Sequence, residues 1–380
     1  MHIIGIIAEY NPFHNGHLYQ INKIKELYPN STIVAVVSSS FTQRGDISLL
    51  NKWDKTQIAL DNGIDLLIEL PFVYSTQSSD IFAQGAVEIL NNLKIDTLVF
   101  GTERDTIKEL ELLADIQINN KDYHNKVREY LSQGLNYATS TNKALEDITS
   151  IKVDTPNDLL ALSYIKQIKK HNYNINCINI KRTTTYHGND IENNITSASN
   201  IRKLYLDNQN IDHLIPFSKE KMYKITMNKY LDILKYKVLS QDTNIKKYQT
   251  IDEGLEARII DNIVKSNTYE ELIQNIKTKR YTYNKISRML LHLLVDFTKE
   301  EAQNITIDYI RVLGFTTKGQ NYLNKIKKDI VIPVLTGYKK NISKVLDIEL
   351  RITKIYSLFT DTNLIRKEYQ TKPIIKENNN

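Results

Sequence analysis

The sequence contains one cysteine and no long hydrophobic run, and both absences narrow the class of protein. A single cysteine, Cys177, excludes an internal disulfide and favours a reducing compartment. It lies in the apolar run INCINI, which predicts a small buried side chain. No stretch approaches the roughly 20 apolar residues that cross a bilayer, and the N-terminal strand lacks the basic lead and cleavage region of a secretory signal. We therefore expect a cytoplasmic protein that makes no membrane contact.

Zinc-ligand spacings, internal repeats and low-complexity tracts are also missing, except at the asparagine-rich end, so we expect no metal ion held by the protein itself. The composition is that of an ordinary soluble protein, with 41% hydrophobic and 25% charged residues. A chain of 380 residues is long enough for two domains. We predict a first domain over 1–215, a second over 216–366, and a disordered tail over 367–380.

Charge is divided unevenly between the two predicted domains. Residues 1–215 contain 20 Lys and Arg against 25 Asp and Glu, a balance of −5, whereas residues 216–380 contain 30 against 19, a balance of +11. A basic second half suggests that the first half carries the chemistry and the second meets a polyanion, most simply nucleic acid. The alternative is that lysine-rich helices are only solvated faces.

The hydrophobic pattern alternates strands with helices and predicts an α/β fold with a parallel sheet, followed by a mainly helical basic domain. Predicted strands cover residues 3–8, 32–38, 65–70, 96–101 and 175–180. Predicted helices cover 49–62 and 79–93, a helical insertion at about 105–170, and 254–265 and 284–297 in the second half. Two short strands at 309–315 and 330–335 flank a predicted helix over 320–328.

Two histidines lie in the turn after the first predicted strand. Asn11-Pro12 ends the strand, and apolar residues recur at helical spacing after Gly16, so His14 and His17 flank the start of a helix. A helix N-terminus attracts anions, and imidazole N–H groups can stabilise charge on a phosphate in a transition state. Glycine between the histidines would allow a phosphate to approach the backbone. The alternative is two surface histidines on a first helical turn.

Other polar segments fall at the same predicted edge of the sheet, where open α/β sheets bind ligands. Gly101 and the loop over 38–46 follow strands, and the fifth strand delivers Lys181 and Arg182 to its carboxyl end. Further along, hydroxyl residues lead into a helix at 196–202, with Arg202 one turn inside, a second arrangement that suits a phosphate.

Cations and aromatic residues are interleaved around the start of the predicted helix over 284–297. They are Lys279, Arg280, Tyr281, Tyr283, Lys285 and Arg288. Cations bind phosphates without sequence preference, and aromatic faces stack unpaired bases. Packing of both tyrosines in a helical core is the equally weighted alternative.

The chain resembles the bacterial tRNA(Met) cytidine acetate ligases, a family within the nucleotidyltransferase superfamily that carries H-x-G-H. The resemblance runs in order along nearly the whole chain. It rests on the segments GIIAEYNPFHNGH at 5–17, QRGD at 43–46, LPFVYSTQSS at 70–79, FGTE at 100–103, PNDLLALSY at 156–164, TSASNIR at 196–202, EGLEARI at 253–259 and TKRYTYNKISRMLLHLL at 278–294.

This resemblance implies a Rossmann-like nucleotidyltransferase domain and a two-step reaction. ATP, accompanied by Mg²⁺, and acetate would form acetyladenylate, and the acetyl group would pass to the wobble cytidine of elongator tRNA(Met). His14 and His17 would be catalytic, and Ser197, Ser199 and Arg202 would hold pyrophosphate. The implied ATP-binding residues are Ile7, Ala8, Glu9, Tyr10, Asn11, Pro12, Phe13, His14, Asn15, Gly16, His17, Gln20, Gly101, Asn157, Arg182, Ser197, Ser199 and Arg202.

Several alternatives stay open at this point. A small-molecule adenylyltransferase of the same superfamily would give the basic half no role, and a non-catalytic tRNA-binding protein would keep only the fold. Gln43 and Arg44 could contact acetate, phosphate or tRNA, or be solvated. Tyr186 and His187, beyond the fifth strand, could face the substrate or lie on a surface loop.

Overall fold

A sheet of eight strands organises the part of the chain that the computed structural model describes, residues 2–182, 191–240, 242–252, 254–303 and 305–377. The strands are β1 Ile3–Ala8, β2 Thr32–Ser38, β3 Leu66–Leu70, β4 Thr97–Thr102, β5 Asn176–Lys181, β6 Ile310–Thr316, β7 Val334–Leu335 and β8 Ile374–Lys376. Six of the seven predicted strands lie within one residue of their predicted bounds, and the strand predicted over 330–335 is reduced to β7.

Helices connect the strands and fill the second half of the chain. The α-helices are α1 Asn15–Leu27, α2 Lys52–Asp61, α3 Phe72–Ser75, α4 Ser79–Asn92, α5 Lys108–Asn119, α6 Lys121–Ser132, α7 Tyr137–Thr149, α8 Pro156–Lys170, α9 Ala198–Leu206, α10 Leu231–Ser240, α11 Leu255–Ile263, α12 Tyr269–Ile276, α13 Tyr283–Leu294, α14 Lys299–Gln303, α15 Thr317–Ile326, α16 Lys344–Ser357 and α17 Asn363–Gln370. Short 3₁₀ helices cover Lys219–Lys221, Met227–Tyr230 and Asp242–Lys247. No helix among the described residues is both long enough and apolar enough to cross a membrane.

Strand order places a ligand-binding crevice beside β1. The order of the strands in the sheet is β5-β4-β1-β2-β3-β6-β7. The first five strands of the chain all run parallel to their neighbours among these five. The chain leaves β1 for β2 on one side and later returns to β4 on the other, so β1 and β4 mark the point where the order reverses. In open α/β sheets, this crevice at the carboxyl ends of the strands is where ligands bind. The predicted α/β fold is confirmed, and the sheet is mostly parallel.

Strand β6 extends the sheet in a way that the alternating pattern does not predict. It pairs antiparallel with β3, and β8 pairs in parallel with β6. Residues far beyond 215 therefore complete the sheet that begins at residue 3. The domain division at residue 215 stays a prediction, and the sheet contains strands from both sides of it.

The predicted disordered tail is wrong where the structure describes it, because residues 363–370 form α17 and residues 374–376 form β8. Glu368 on α17 is fully buried, and its carboxylate accepts from Lys52 Nζ at 2.9 Å and from the Arg311 guanidinium. Both cations also bind Glu69 on β3. Removing one member of such a buried cluster costs about 3–5 kcal/mol, so these ion pairs fix the C-terminal segment against the sheet.

Candidate active site

A cavity of about 1000 Å³ opens at the carboxyl ends of β1, β4 and β5. Its lining includes Ala8 from β1, Gly101 from β4 and Ile180 from β5, together with residues from the N-termini of α1 and α9. The sheet therefore brings together strand ends that are 172 residues apart in the chain, from Ala8 to Ile180. Two helix N-termini face one space, where backbone N–H groups and helix dipoles favour an anion.

His14 and His17 are held by a reciprocal capping arrangement at the start of α1. His14 is the N-cap residue, and its Nδ1 accepts a hydrogen bond from the backbone N–H of Gly16 at 3.0 Å. The backbone N–H of His14 in turn donates to Nδ1 of His17 at 3.1 Å. The ring centroids lie 3.8 Å apart. Because each Nδ1 is an acceptor, the proton of each neutral ring is on Nε2.

Both rings stay neutral because of their surroundings. Burial, helped by the positive charges of Arg182 and Arg202, lowers the pKa of His14 to about 3. Burial, His14 and Arg182 lower the pKa of His17 well below its ordinary value. Both histidines line the cavity, and their Nε2–H groups have no hydrogen-bond acceptor among the described residues. They can donate to a phosphate oxygen without carrying a full charge.

Gly16 is required for a reason that differs from the predicted one. A Cβ atom added there would lie 2.8 Å from Cε1 and 2.9 Å from Nδ1 of His14. The histidine ring itself occupies the space beside Gly16, because it folds back to cap the helix. Glycine thus permits the conformation of His14 first, and any approach by a phosphate second.

The N-terminus of α9 forms the second anion-binding edge. Ser197 is its N-cap, with Oγ accepting from the backbone N–H of Asn200 at 3.2 Å. Arg202 donates to the carbonyl oxygen of Asn11 at 2.8 Å and to Oγ of Ser199 at 3.2 Å. Arg202 thereby connects α9 to the turn over 11–17 that contains both histidines, called the histidine turn below, and its positive charge lies beside the cavity.

A third edge joins β4, α8 and β5 through Glu103. The Asn157 amide donates to Oε1 of Glu103 at 2.7 Å, and Nε of Arg182 lies 3.6 Å from the same oxygen. That Nε is buried and makes no hydrogen bond with the described residues. Sequence reasoning assigned no role to Glu103, although the FGTE segment contains it. Only the pairing of β4 with β5 places Glu103 between Asn157 and Arg182.

Most predicted ATP-binding residues line this one cavity. They are Ile7, Ala8, Glu9, Tyr10, Asn11, His14, Gly16, His17, Gln20, Gly101, Asn157, Arg182, Ser197, Ser199 and Arg202. Three others do not line it: Pro12 and Phe13 are buried behind the turn, and Asn15 donates to the carbonyl oxygens of Asn194 and His213, each at 2.9 Å. Tyr186 and His187 lie outside the described residues.

The loop over 42–47 connects the histidine turn to the basic half. The backbone N–H of Gln43 donates to Oε1 of Glu9 at 2.5 Å, and Arg288 on α13 donates to the Gln43 carbonyl oxygen at 3.2 Å. Gly45 has φ +86° and approaches α13 so closely that a Cβ would lie 2.7 Å from the backbone nitrogen of Arg288. Gln43 and Arg44 both line the cavity.

The predicted RNA-binding residues divide between the cavity and the surface. Arg280, Lys285 and Arg288 line the cavity, whereas Lys279 is exposed outside it. Lys285 Nζ lies 4.8 Å from the centroid of the Tyr281 ring and 2.6 Å from Oδ2 of Asp252. Tyr283 is partly buried, and its hydroxyl donates to Glu270 at 2.6 Å.

Within the described ranges, no group of three or more His, Cys, Asp or Glu residues is arranged so that it could hold a metal ion.

This chain is similar to known proteins along nearly its whole length. A family model described as HIGH nucleotidyl transferase matches residues 1–372. The tRNA(Met) cytidine acetate ligase of Clostridium kluyveri is 37% identical over 404 aligned residues, which cover 99% of each chain. Two crystal structures of Thermotoga maritima TmcAL, one apo and one bound with alpha-thio ATP, are 26% identical and match over the full length of each chain, with TM-scores of 0.92 and 0.87. The chain therefore belongs to the HIGH nucleotidyl transferase family and, within it, to the tRNA(Met) cytidine acetate ligases.

Proposed function

We propose that this protein is an ATP-dependent ligase that activates acetate as acetyladenylate and transfers the acetyl group to N4 of the wobble cytidine of elongator tRNA(Met). The observation that carries the proposal is the pair of neutral imidazoles at the N-terminus of α1, which both line the cavity and whose Nδ1 atoms are both occupied, so that each ring has its proton on Nε2. Family membership supports the choice of acetate and tRNA as co-substrates.

In the first step, an acetate oxygen attacks the α-phosphorus of ATP, and the bond from that phosphorus to the bridging oxygen of the β-phosphate breaks. Negative charge develops on the α-phosphate oxygens, where Nε2–H of His14 and His17 would donate hydrogen bonds. Positioned donors of this kind stabilise the transition state more than the ground state. Pyrophosphate would leave beside the edge formed by Ser197, Ser199 and Arg202, whose hydroxyl groups and guanidinium can hold its oxygens. Mg²⁺ bound with the nucleotide would offset part of the negative charge of the phosphates.

The nucleoside part of ATP would lie along the third edge of the cavity. Gly101 offers no side chain that would block the approach of the adenosine. Asn157 and Arg182 are held in place by Glu103, so their remaining donor groups are oriented before the nucleotide arrives. This arrangement supports a role in binding rather than in bond making.

In the second step, N4 of the cytidine attacks the acetyl carbonyl carbon, the bond to AMP breaks, and the amine loses a proton. Acetate alone is a poor electrophile, so activation by phosphate must precede this attack. The RNA would reach the cavity from the side of α13, where Arg280 and Lys285 line the cavity and Lys279 is exposed outside it. These cations can bind RNA phosphates. The lone cysteine and the substrates fit a cytoplasmic location.

Acetate-dependent exchange of labelled pyrophosphate into ATP tests the first step. The ligase is expected to exchange only when acetate is present, and without any RNA. Exchange that requires a different small acceptor would identify an adenylyltransferase, and absence of exchange with any acceptor would leave a tRNA-binding protein. Either result would contradict the proposed activity.

A further inference from the structure

The cavity extends well beyond the residues that contact a nucleotide in the proposed function. Its volume of about 1000 Å³ is at the upper end of the range for small-molecule sites. One part of its lining comes from the helical insertion, including Tyr137, Thr141 and Asn142 at the start of α7. None of these α7 residues has a role in the proposed reaction.

Tyr137 is unusual among the apolar side chains of the protein. It is 59% exposed, and among the large hydrophobic residues exposed in the described part of the chain it is the one that lines the cavity. A comparably exposed tyrosine, Tyr236 on α10, does not line it. An aromatic ring that is exposed inside a binding cavity can stack on a planar ligand, and nucleobases stack readily on tyrosine.

A hydrogen bond from the neighbouring residue, Asn136, connects the start of α7 to the basic segment over 279–288. Tyr137 is the first residue of α7, and Asn136 caps that helix by accepting from the backbone N–H of Thr139 at 2.9 Å. The Asn136 amide also donates to the carbonyl oxygen of Lys279 at 3.3 Å. This contact joins the start of α7 to the segment over 279–288, and Tyr137 and Arg280 line the same cavity.

We propose that Tyr137 is the stacking platform for the unpaired base that the enzyme acetylates, a pyrimidine nucleotide of an RNA loop that enters between α7 and α13. The inference rests on the proposed function for the identity of the base. An aromatic face supplies affinity without sequence preference, while Arg280 and Lys285 attract the neighbouring phosphates. The base then enters the same cavity that holds His14 and His17.

Binding of an RNA hairpin shaped like an anticodon arm tests this role without requiring catalysis. The hairpin contains a fluorescent cytosine analogue at the wobble position, whose emission falls when the base stacks on an aromatic ring. The wild-type chain and Tyr137→Phe are expected to quench the emission and to bind with similar Kd. Tyr137→Ala should abolish the quenching and raise Kd about tenfold, within the range for loss of one base stack.

Tyr236→Ala is the matched control, because it removes another exposed tyrosine that does not line the cavity. Thermal unfolding verifies that each variant is folded. The proposal is overturned if the wild-type chain does not bind the hairpin, if Tyr137→Ala quenches like the wild type, or if Tyr236→Ala weakens binding equally. A rise in the KM for ATP with unchanged RNA quenching would assign Tyr137 to the adenine instead and would also overturn it. Failure of acetate-dependent exchange in the wild type, with quenching intact, would remove the proposed activity and leave the RNA subsite standing.

Discussion

Replacing His14 with asparagine separates its structural role from its chemical one. His14 caps α1 through Nδ1 and offers Nε2–H to the cavity. Asparagine is among the best N-cap residues, so the variant keeps the cap, whereas His14→Ala loses it at a cost of about 1 kcal/mol. Both variants lose the Nε2–H donor, and loss of one such donor typically lowers kcat by about 10²–10³.

Acetate-dependent ATP–pyrophosphate exchange measures the chemical loss, and thermal unfolding measures the structural one. We expect both variants to lose exchange to the same extent, with His14→Asn unfolding at the wild-type temperature and His14→Ala unfolding about 2 °C lower or less. Exchange by His14→Asn within about threefold of wild type would refute the reasoning, because the histidine would then act only as a helix cap.

Three further changes test other parts of the account. Gly16→Ala should lower exchange by about 10² with the fold retained, because the new Cβ must displace the His14 ring. Combined Lys279→Glu and Arg280→Glu should weaken tRNA binding and reduce its dependence on salt, as measured by Kd over a salt series. Glu349→Gln should gain stability relative to wild type as the pH rises. Burial and the Glu69 carboxylate raise the pKa of Glu349 above its ordinary value of 4.5. Above pH 4.5 the unfolded chain therefore releases a proton that the folded protein still holds. The stability of the wild type falls as the pH rises, until the pH passes the raised pKa.

Each of these has its own contradicting result. Wild-type exchange by Gly16→Ala would show that the ring has room to move. For the charge reversal, Lys339→Glu with Lys340→Glu makes the same change in net charge at exposed positions outside the cavity, and an equal loss of RNA affinity there would make the effect non-specific. Parallel curves of unfolding free energy against pH for Glu349→Gln and wild type would mean that Glu349 is ionised in the folded protein.

Local chemistry made much of the fold predictable. Apolar runs of five to seven residues bounded by turns, such as those ending at Ala8 and at Leu70 before Pro71, form the buried strands β1 and β3. The histidine turn was predicted because its strand, its glycine and its helix are all encoded within one short segment. Residues at the ends of parallel strands could be assigned to one edge without knowing their contacts.

What could not be predicted depends on pairing between distant segments. Glu368 lies in a polar stretch that is typical of an exposed tail, and its buried partners are Lys52 and Arg311. The antiparallel addition of β6 follows from no local pattern. Arg288 lies in a segment rich in cations and aromatic residues, which is typical of an RNA contact. Gly45 instead brings the loop over 42–47 close to α13, and the Arg288 guanidinium donates to the carbonyl oxygen of Gln43.

Mass spectrometry of tRNA incubated with the protein, ATP and labelled acetate tests the central claim most directly. The proposed function predicts one labelled acetyl group on the wobble cytidine of elongator tRNA(Met), formed only when ATP is present and lost in His14→Asn. Transfer of AMP instead of acetyl to the acceptor, or no labelled RNA at all alongside intact tRNA binding, would contradict it.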